Sequence, residues 1–108
     1  MKTGIERIAT ERQRQIEGEG WSAEHDDDHT HGELAAAAAC YANPLHIRIT
    51  GTGVCYSESA NNIPIGWPIN WGCYYWNPST DPIRNLEKAG ALIAAEIDRL
   101  LRRQNRKT

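Results

Sequence analysis

One short segment concentrates the side chains that could do chemistry. The ten residues from Glu24 to Glu33, EHDDDHTHGE, contain three histidines and five carboxylates. Two of the histidines are four residues apart, so on a helix they would share a face and could converge on one ion. Carboxylates combined with imidazoles suit Mg²⁺, Mn²⁺ or Fe²⁺, and no cysteine is near enough in sequence to favour structural zinc. The segment predicts a divalent metal site for Mg²⁺ or Mn²⁺, with the candidate ligands His25, Asp27, Asp28, His29 and Glu33.

The same segment also has the features of a helix start. Thr30 could cap a helix, with Glu33 completing a capping box three residues later, and acidic residues favour the positive end of the helix dipole. Capping needs only one or two acids, however, and the consecutive aspartates from Asp26 to Asp28 repel one another unless a cation neutralises them. The nearest arginine in sequence is Arg14. A metal site and an acidic, solvated helix start therefore both remain open.

The elements that must position these groups are mainly α-helical. Apolar periodicity, capping residues and prolines predict a small bundle of three helices. In chain order we expect a helix over about 3–18, an acidic loop over 19–30, a helix over 30–43, an irregular segment over 44–80 and a helix over 81–104.

Both outer helices have recognisable starts. Thr3 and Glu6 have the spacing of a capping box, and Asp81 followed by Pro82 is typical of an N-cap and a first helical residue. The outer face of the first helix, ERQRQIEGE, alternates in charge and is interpreted as a solvated surface.

The irregular segment over 44–80 alternates like a short hairpin near its beginning and is then rich in proline and aromatic residues. A loop of this length is usually functional or packed down by its own side chains. Its three tryptophans could anchor the helix ends, or they could form a platform on which a base stacks. They are Trp67, Trp71 and Trp76.

The last helix carries apolar residues at alternating spacings of three and four, which is the pattern of a bundle or coiled-coil seam. Its neighbouring alanines, like the run LAAAAACYA in the second helix, favour close helix packing but give a thin core. We therefore expect burial against a second copy of the chain, as a homo-oligomer. The seam residues are Ile83, Leu86, Gly90, Ile93, Ile97 and Leu100.

The length and composition are those of a single globular domain. A chain of 108 residues is too short for two cores, and no apolar run approaches the ~20 residues of a membrane helix. The absence of an apolar leader and the odd count of three cysteines favour a cytoplasmic protein with free thiols. The arginine-rich end is interpreted as a complement to the helix dipole, so nucleic acid is not an expected partner.

The segments ERQRQIEGEGWSAEHDDDHTHGELAAAAACYA, GWPINW and NLEKAGALIAAEIDRL resemble a family of small uncharacterised proteins common in phages and prophages. More distantly, Glu11-Arg12-x-Arg14-Gln15, followed by Trp21 and an acidic helix start, is similar to the opening of phage-type MazG-like proteins. That resemblance implies an all-α nucleotide pyrophosphohydrolase, a helical dimer or tetramer that holds Mg²⁺ with Glu and Asp pairs. The second helix keeps only Glu33 of the glutamates typical of that family, and Asn85 stands where a further acid is expected.

Two possible functions follow from this resemblance and from the missing acids. The first is a binder of a nucleotide or of a host protein, which serves a phage by sequestering a signal or blocking a defence enzyme. The alternative is a Mg²⁺- or Mn²⁺-dependent hydrolase of nucleoside triphosphates, in which the metal activates the attacking water. In the hydrolase, arginines would clamp phosphate and tryptophans would stack on the base. The binder needs rings and donors in a preformed pocket but no activated water. The candidate ligand-binding residues are Arg12, Arg14, Trp21, Trp67, Trp71 and Arg84.

Overall fold

The computed structural model describes residues 2–43, 47–50, 53–56, 66–68, 71 and 76–106, with the backbone alone described for 47–50 and 53–56. The protein is mainly helical, as predicted, but its described part contains four helices rather than three. The elements are α1 (Gly4–Glu19), α2 (Ala23–Asp27), α3 (Glu33–Ala42), β1 (Ile47–Thr50), β2 (Gly53–Tyr56) and α4 (Pro82–Arg106).

The start of α1 is the predicted capping box. The Thr3 hydroxyl accepts a hydrogen bond from the Glu6 N–H at 3.3 Å, and the Glu6 carboxylate accepts one from the Thr3 N–H at 3.2 Å. The helix ends at Gly20, whose φ of 72° is the left-handed conformation that glycine adopts without a Cβ clash.

The acidic segment expected to be a loop contains the short helix α2. Ser22 caps it by accepting a hydrogen bond from the His25 N–H at 3.3 Å. The predicted cap of the next helix at Thr30 is wrong, because α3 begins only after Gly32, at a left-handed φ of 76°. The Glu33 carboxylate accepts a hydrogen bond from the His31 N–H instead of completing a capping box with Thr30. The chain must turn sharply between two helices here, and the glycine determines where that turn falls.

Strands β1 and β2 pair antiparallel near the beginning of the segment over 44–80, where the sequence predicts a short hairpin. Ile47 pairs with Tyr56 and Thr50 pairs with Gly53. The proposed helix stop at Pro44 and most of the aromatic segment lie outside the described residues.

The core lies where α4 packs against α3, with α1 on a second side of α4. Leu34 and Leu92 are fully buried, and alanines fill most of the remaining contact between α3 and α4. Trp67 and Trp76 are also buried, and both rings contact Tyr41, at centroid distances of 5.9 and 4.8 Å. These two tryptophans thus pack as structural anchors. The buried alanines are Ala37, Ala38, Ala89, Ala91 and Ala95.

The burial of two helix faces is decided by packing within the chain. The predicted seam of α4 points away from the core, where Ile93 and Ile97 remain 48% and 52% exposed. The opposite, alanine-rich face is buried because small side chains allow α3 to approach closely. Likewise, the charged face of α1 is not wholly solvated, since Glu11 and Gln15 are only 3% and 2% exposed.

None of the helices in the described ranges combines the length and the apolar character that crossing a bilayer requires.

Candidate ligand-binding site

The acidic segment is compensated by arginines that are distant in sequence. Oδ2 of the fully buried Asp26 accepts a hydrogen bond from Arg12 Nη2 at 3.0 Å. Asp27 accepts bonds from the guanidinium groups of Arg102 and Arg106, each at 2.9 Å. The Arg102 hydrogen bond, opposed by burial and reinforced by Arg106, lowers the pKa of Asp27. The premise that the three aspartates lack a cation is therefore wrong, because tertiary packing supplies one from α1 and two from α4.

The five candidate metal ligands accordingly do not converge on one point, because their side chains make separate contacts. Oε2 of Glu33 lies 3.5 Å from Nδ1 of His29, and Asp28 is exposed at the C-terminal end of α2. Across the described residues, no three His, Cys, Asp or Glu side chains come together in a group that could hold a metal ion.

The histidines instead belong to a row of aromatic rings. Trp21 stacks on His25 at 5.8 Å between ring centroids, His25 meets the edge of His29 at 4.9 Å, and His29 lies 5.1 Å from Trp71. Trp71 in turn contacts Trp67 at 5.6 Å. The row joins α2 to the aromatic segment, so these side chains have a packing role that sequence spacing alone did not reveal.

A cavity of about 400 Å³ opens beside the start of this row, between α1 and α4. Its volume is in the range of small-molecule sites. Four residues of α1 form one wall because they recur every three or four positions. The lining residues are Glu11, Arg14, Gln15 and Glu19 from α1, and Trp21, Tyr41, Asn77, Lys88 and Leu92 from the rest of the chain.

Glu11 is the electrostatic centre of the site. Arg14 binds it in a bidentate manner, at 2.7 and 2.9 Å, and Arg84 adds a contact at 2.7 Å. Burial alone would raise the pKa of Glu11, but the hydrogen bonds from the two arginines outweigh it and lower the pKa to about 2. Glu11 is therefore ionised at neutral pH and holds Arg14 and Arg84 at the cavity wall.

Lys88 supplies a further cation on the α4 side. Its Nζ donates to the carbonyl oxygen of Asn77 at 2.8 Å and lies 5.5 Å above the Tyr41 ring. Burial, together with the nearby charge of Arg84, lowers the pKa of Lys88.

Among the residues that line this cavity, Gln15 has a buried polar atom without a hydrogen-bond partner. Its Nε2 donates to Glu11 at 3.2 Å, which assigns the amide orientation, whereas its buried Oε1 has no donor. A buried carbonyl oxygen without a partner is costly, so this position favours a ligand that brings an N–H or O–H group.

A second cavity, of about 330 Å³, shares Glu11 and Arg14 with the first. Four of its lining side chains are cationic and two are anionic, so it carries an excess of positive charge. The cations are Lys2, Arg7, Arg14 and Arg84, and the anions are Glu11 and Glu87.

The structure brings together three of the predicted ligand-binding residues, because Arg14 and Arg84 meet at Glu11, and Trp21 lines the same cavity as Arg14. Arg12 is instead paired with Asp26, and Trp67 is buried in the core. Asn85 is buried as well and closes the turn before α4 through its two hydrogen bonds with the backbone of Ser79.

Sequence reasoning missed Gln15, Lys88 and Tyr41. Gln15 lies four residues after Glu11, but no pattern in the sequence shows that this face of α1 is buried. Comparison of the chain with family models, with curated proteins and with solved structures finds no match.

Proposed function

We propose that the protein binds a nucleotide, and that it does so without needing to turn the nucleotide over. The observation that carries the proposal is the unpaired Oε1 of Gln15, a residue that lines the same cavity as the half-buried Trp21. An exocyclic amino group of a base would donate to Oε1 while the base lies against the indole. Such stacking contributes about 1–3 kcal/mol per base.

The second, positively charged cavity is the proposed position of the phosphate groups. It adjoins the first because Glu11 and Arg14 line both. Arg7 and Arg84 are partly exposed there, with side-chain exposures of 45% and 32%, so their remaining N–H groups can reach phosphate oxygens. A base in one cavity and phosphate in the other would use the full length of the groove between α1 and α4.

Sequestration of a nucleotide signal fits this arrangement, because binding requires rings and donors in a preformed pocket but no activated water. A host protein as the partner is a separate proposal, for which the described residues provide no comparable polar site.

The test is to incubate the purified chain with a mixture of ribo-, deoxyribo- and cyclic nucleotides and to identify by mass spectrometry which are retained after ultrafiltration. Trp21→Ala should weaken binding of the retained nucleotide about 5- to 150-fold, the equivalent of one lost stacking contact. Gln15→Met keeps the side-chain volume, so it should weaken binding of bases with an amino group more than binding of bases without one.

Arg103→Ala is the matched control, because Arg103 is exposed on α4 and lines neither cavity. The affinity of this variant for the retained nucleotide should equal that of the unaltered chain. Failure to retain any nucleotide at millimolar concentration, or unchanged binding by Trp21→Ala, would contradict the proposal.

A metal-dependent pyrophosphohydrolase is the second candidate, and one observation favours it. Glu33 lies beside Nδ1 of His29 while Nε2 of the same ring is buried without a partner, an arrangement common among metal-binding histidines. Mg²⁺ or Mn²⁺ at this position would require further oxygen ligands, of which Asp28 is the nearest in sequence that is not paired with arginine. Metal-dependent formation of nucleoside monophosphate in the same incubation would establish this activity, and retention of unchanged nucleotide would exclude it for the nucleotides present.

A further inference from the structure

The exposed face of α4 is apolar over most of the helix. Its large side chains are 42% to 54% exposed, which is unusual for so many Ile and Leu residues on one face of a single helix. They recur at alternating intervals of three and four residues, and the gap at Gly90 is covered by Ile8 of α1, whose side chain occupies the space of the absent Cβ. We call this surface the α4 seam; it comprises Ile83, Leu86, Gly90, Ile93, Ile97, Leu100 and the adjoining Leu101.

We propose that the α4 seam is the interface with a second copy of this chain, in which the two α4 helices pack antiparallel about a two-fold axis. The alternating three-and-four spacing matches another helix with the same spacing, and a two-fold axis provides that helix automatically. At roughly half exposure, six leucine-sized side chains offer on the order of 500 Å² per copy, or about 1,000 Å² for two copies, which reaches the lower limit of specific interfaces.

The charges on α4 favour the antiparallel arrangement. After Asp98 the helix carries four arginines and no acid. Glu96 pairs with Arg99, and Asp27 pairs with both Arg102 and Arg106, so an excess of positive charge remains, and two parallel copies would place these basic ends side by side. In the antiparallel arrangement each basic end lies near the start of the other α4, where Asp81 and Glu87 balance the charges of Arg84 and Lys88, so the two basic ends are kept apart. The opposed helix dipoles also attract rather than repel.

The register follows from the spacing. When Ile83 faces Leu100 of the second copy, Leu86 faces its Ile97, and Gly90, with Ile8 over it, faces its Ile93. These six positions thus meet one another, with Leu101 at the edge of the contact, and no charged side chain enters its centre.

Sedimentation equilibrium of the full chain tests the proposal. We expect a dimer with a micromolar dissociation constant, and Ile93→Glu combined with Ile97→Glu should raise that constant at least 100-fold, because the charges would lie at the centre of the interface. Ile16→Glu is the matched control, since Ile16 is 36% exposed on α1 outside the seam, and it should leave the dimer unchanged. Circular dichroism shows whether each variant keeps its helices.

Cross-linking tests the same interface without a disruptive charge. Chains carrying Ile83→Cys mixed with chains carrying Leu100→Cys should form a disulfide-linked dimer beyond the level given by the native cysteines. Ile83→Cys alone should not cross-link. A monomer at all concentrations, an unchanged dimer in the double glutamate variant, or efficient cross-linking of Ile83→Cys with itself would each overturn the proposed arrangement.

Discussion

Removal of the Asp26 carboxylate should be among the most destabilising single changes in the chain. Asp26 is 0% exposed and its partner Arg12 has a side-chain exposure of 13%, with 3.0 Å between Nη2 and Oδ2. Arg12 already has its Nε and Nη1 buried without partners, so Asp26→Ala would leave the whole guanidinium uncompensated. Breaking a buried pair on one side costs about 3–5 kcal/mol. Domains of this size have a total stability of about 5–15 kcal/mol, so a large part of it should be lost.

The assay is urea unfolding followed by circular dichroism, from which the free energy of unfolding is obtained for each variant. Asp28→Ala is the neighbouring control, because Asp28 is exposed and its removal should change stability by no more than about 0.5 kcal/mol. The combined variant Arg12→Met with Asp26→Leu should recover most of the loss, since it buries no charge at all. A loss below about 1 kcal/mol in Asp26→Ala, or no recovery in the double variant, would refute the reasoning from burial.

Three further predictions concern the ion pairs of Glu11 and two glycine positions. Gly90→Ala would place a Cβ 2.5 Å from Cδ1 of Ile8. We expect this clash to outweigh the gain in helix propensity and to lower the free energy of unfolding by about 1–2 kcal/mol, measured by thermal unfolding. The additional change Ile8→Ala should remove that loss of stability. Because the pKa of Glu11 is lowered from 4.5 to about 2 on folding, its ion pairs stabilise the protein fully above pH 4.5. About 3 kcal/mol should be lost between pH 4.5 and pH 2 in urea unfolding, and Glu11→Gln should remove that part of the pH dependence. Gly32→Ala should cost about 1–2 kcal/mol because its φ is 76°, whereas Gly4→Ala, at an unobstructed helix position, should be neutral or stabilising.

Local signals in the sequence identified the helix starts that depend on neighbouring residues. The capping box of Thr3 and Glu6 forms as its spacing indicates, and Asp81 Oδ1 accepts from the Ile83 N–H at 3.0 Å at the start of α4. Both caps involve groups two or three residues apart, so their energies are already defined by the local chain. The mainly helical class follows from the same kind of information, since apolar periodicity is also a local property.

The interpretation of the acidic segment could not be made locally. The cations of Asp27 come from Arg102 and Arg106, which are 75 and 79 residues away, and the cation of Asp26 comes from α1. The sequence shows an excess of acid in this segment, but only the packing of α1, α2 and α4 reveals that Asp26 and Asp27 are paired with arginines.

The faces of the helices were also decided by tertiary structure. Sequence alone established that α4 has both a heptad seam and an alanine-rich side, and either could have been the buried one. The alanine side packs on α3 because the two small-residue surfaces allow close approach, which leaves the long apolar side chains outside. In the same way Glu11 and Gln15 are buried only because α4 brings Arg84 and Lys88 to that face of α1. Spacing along a chain determines which side chains share a face, but the partner of that face is determined by the free energy of packing the whole molecule.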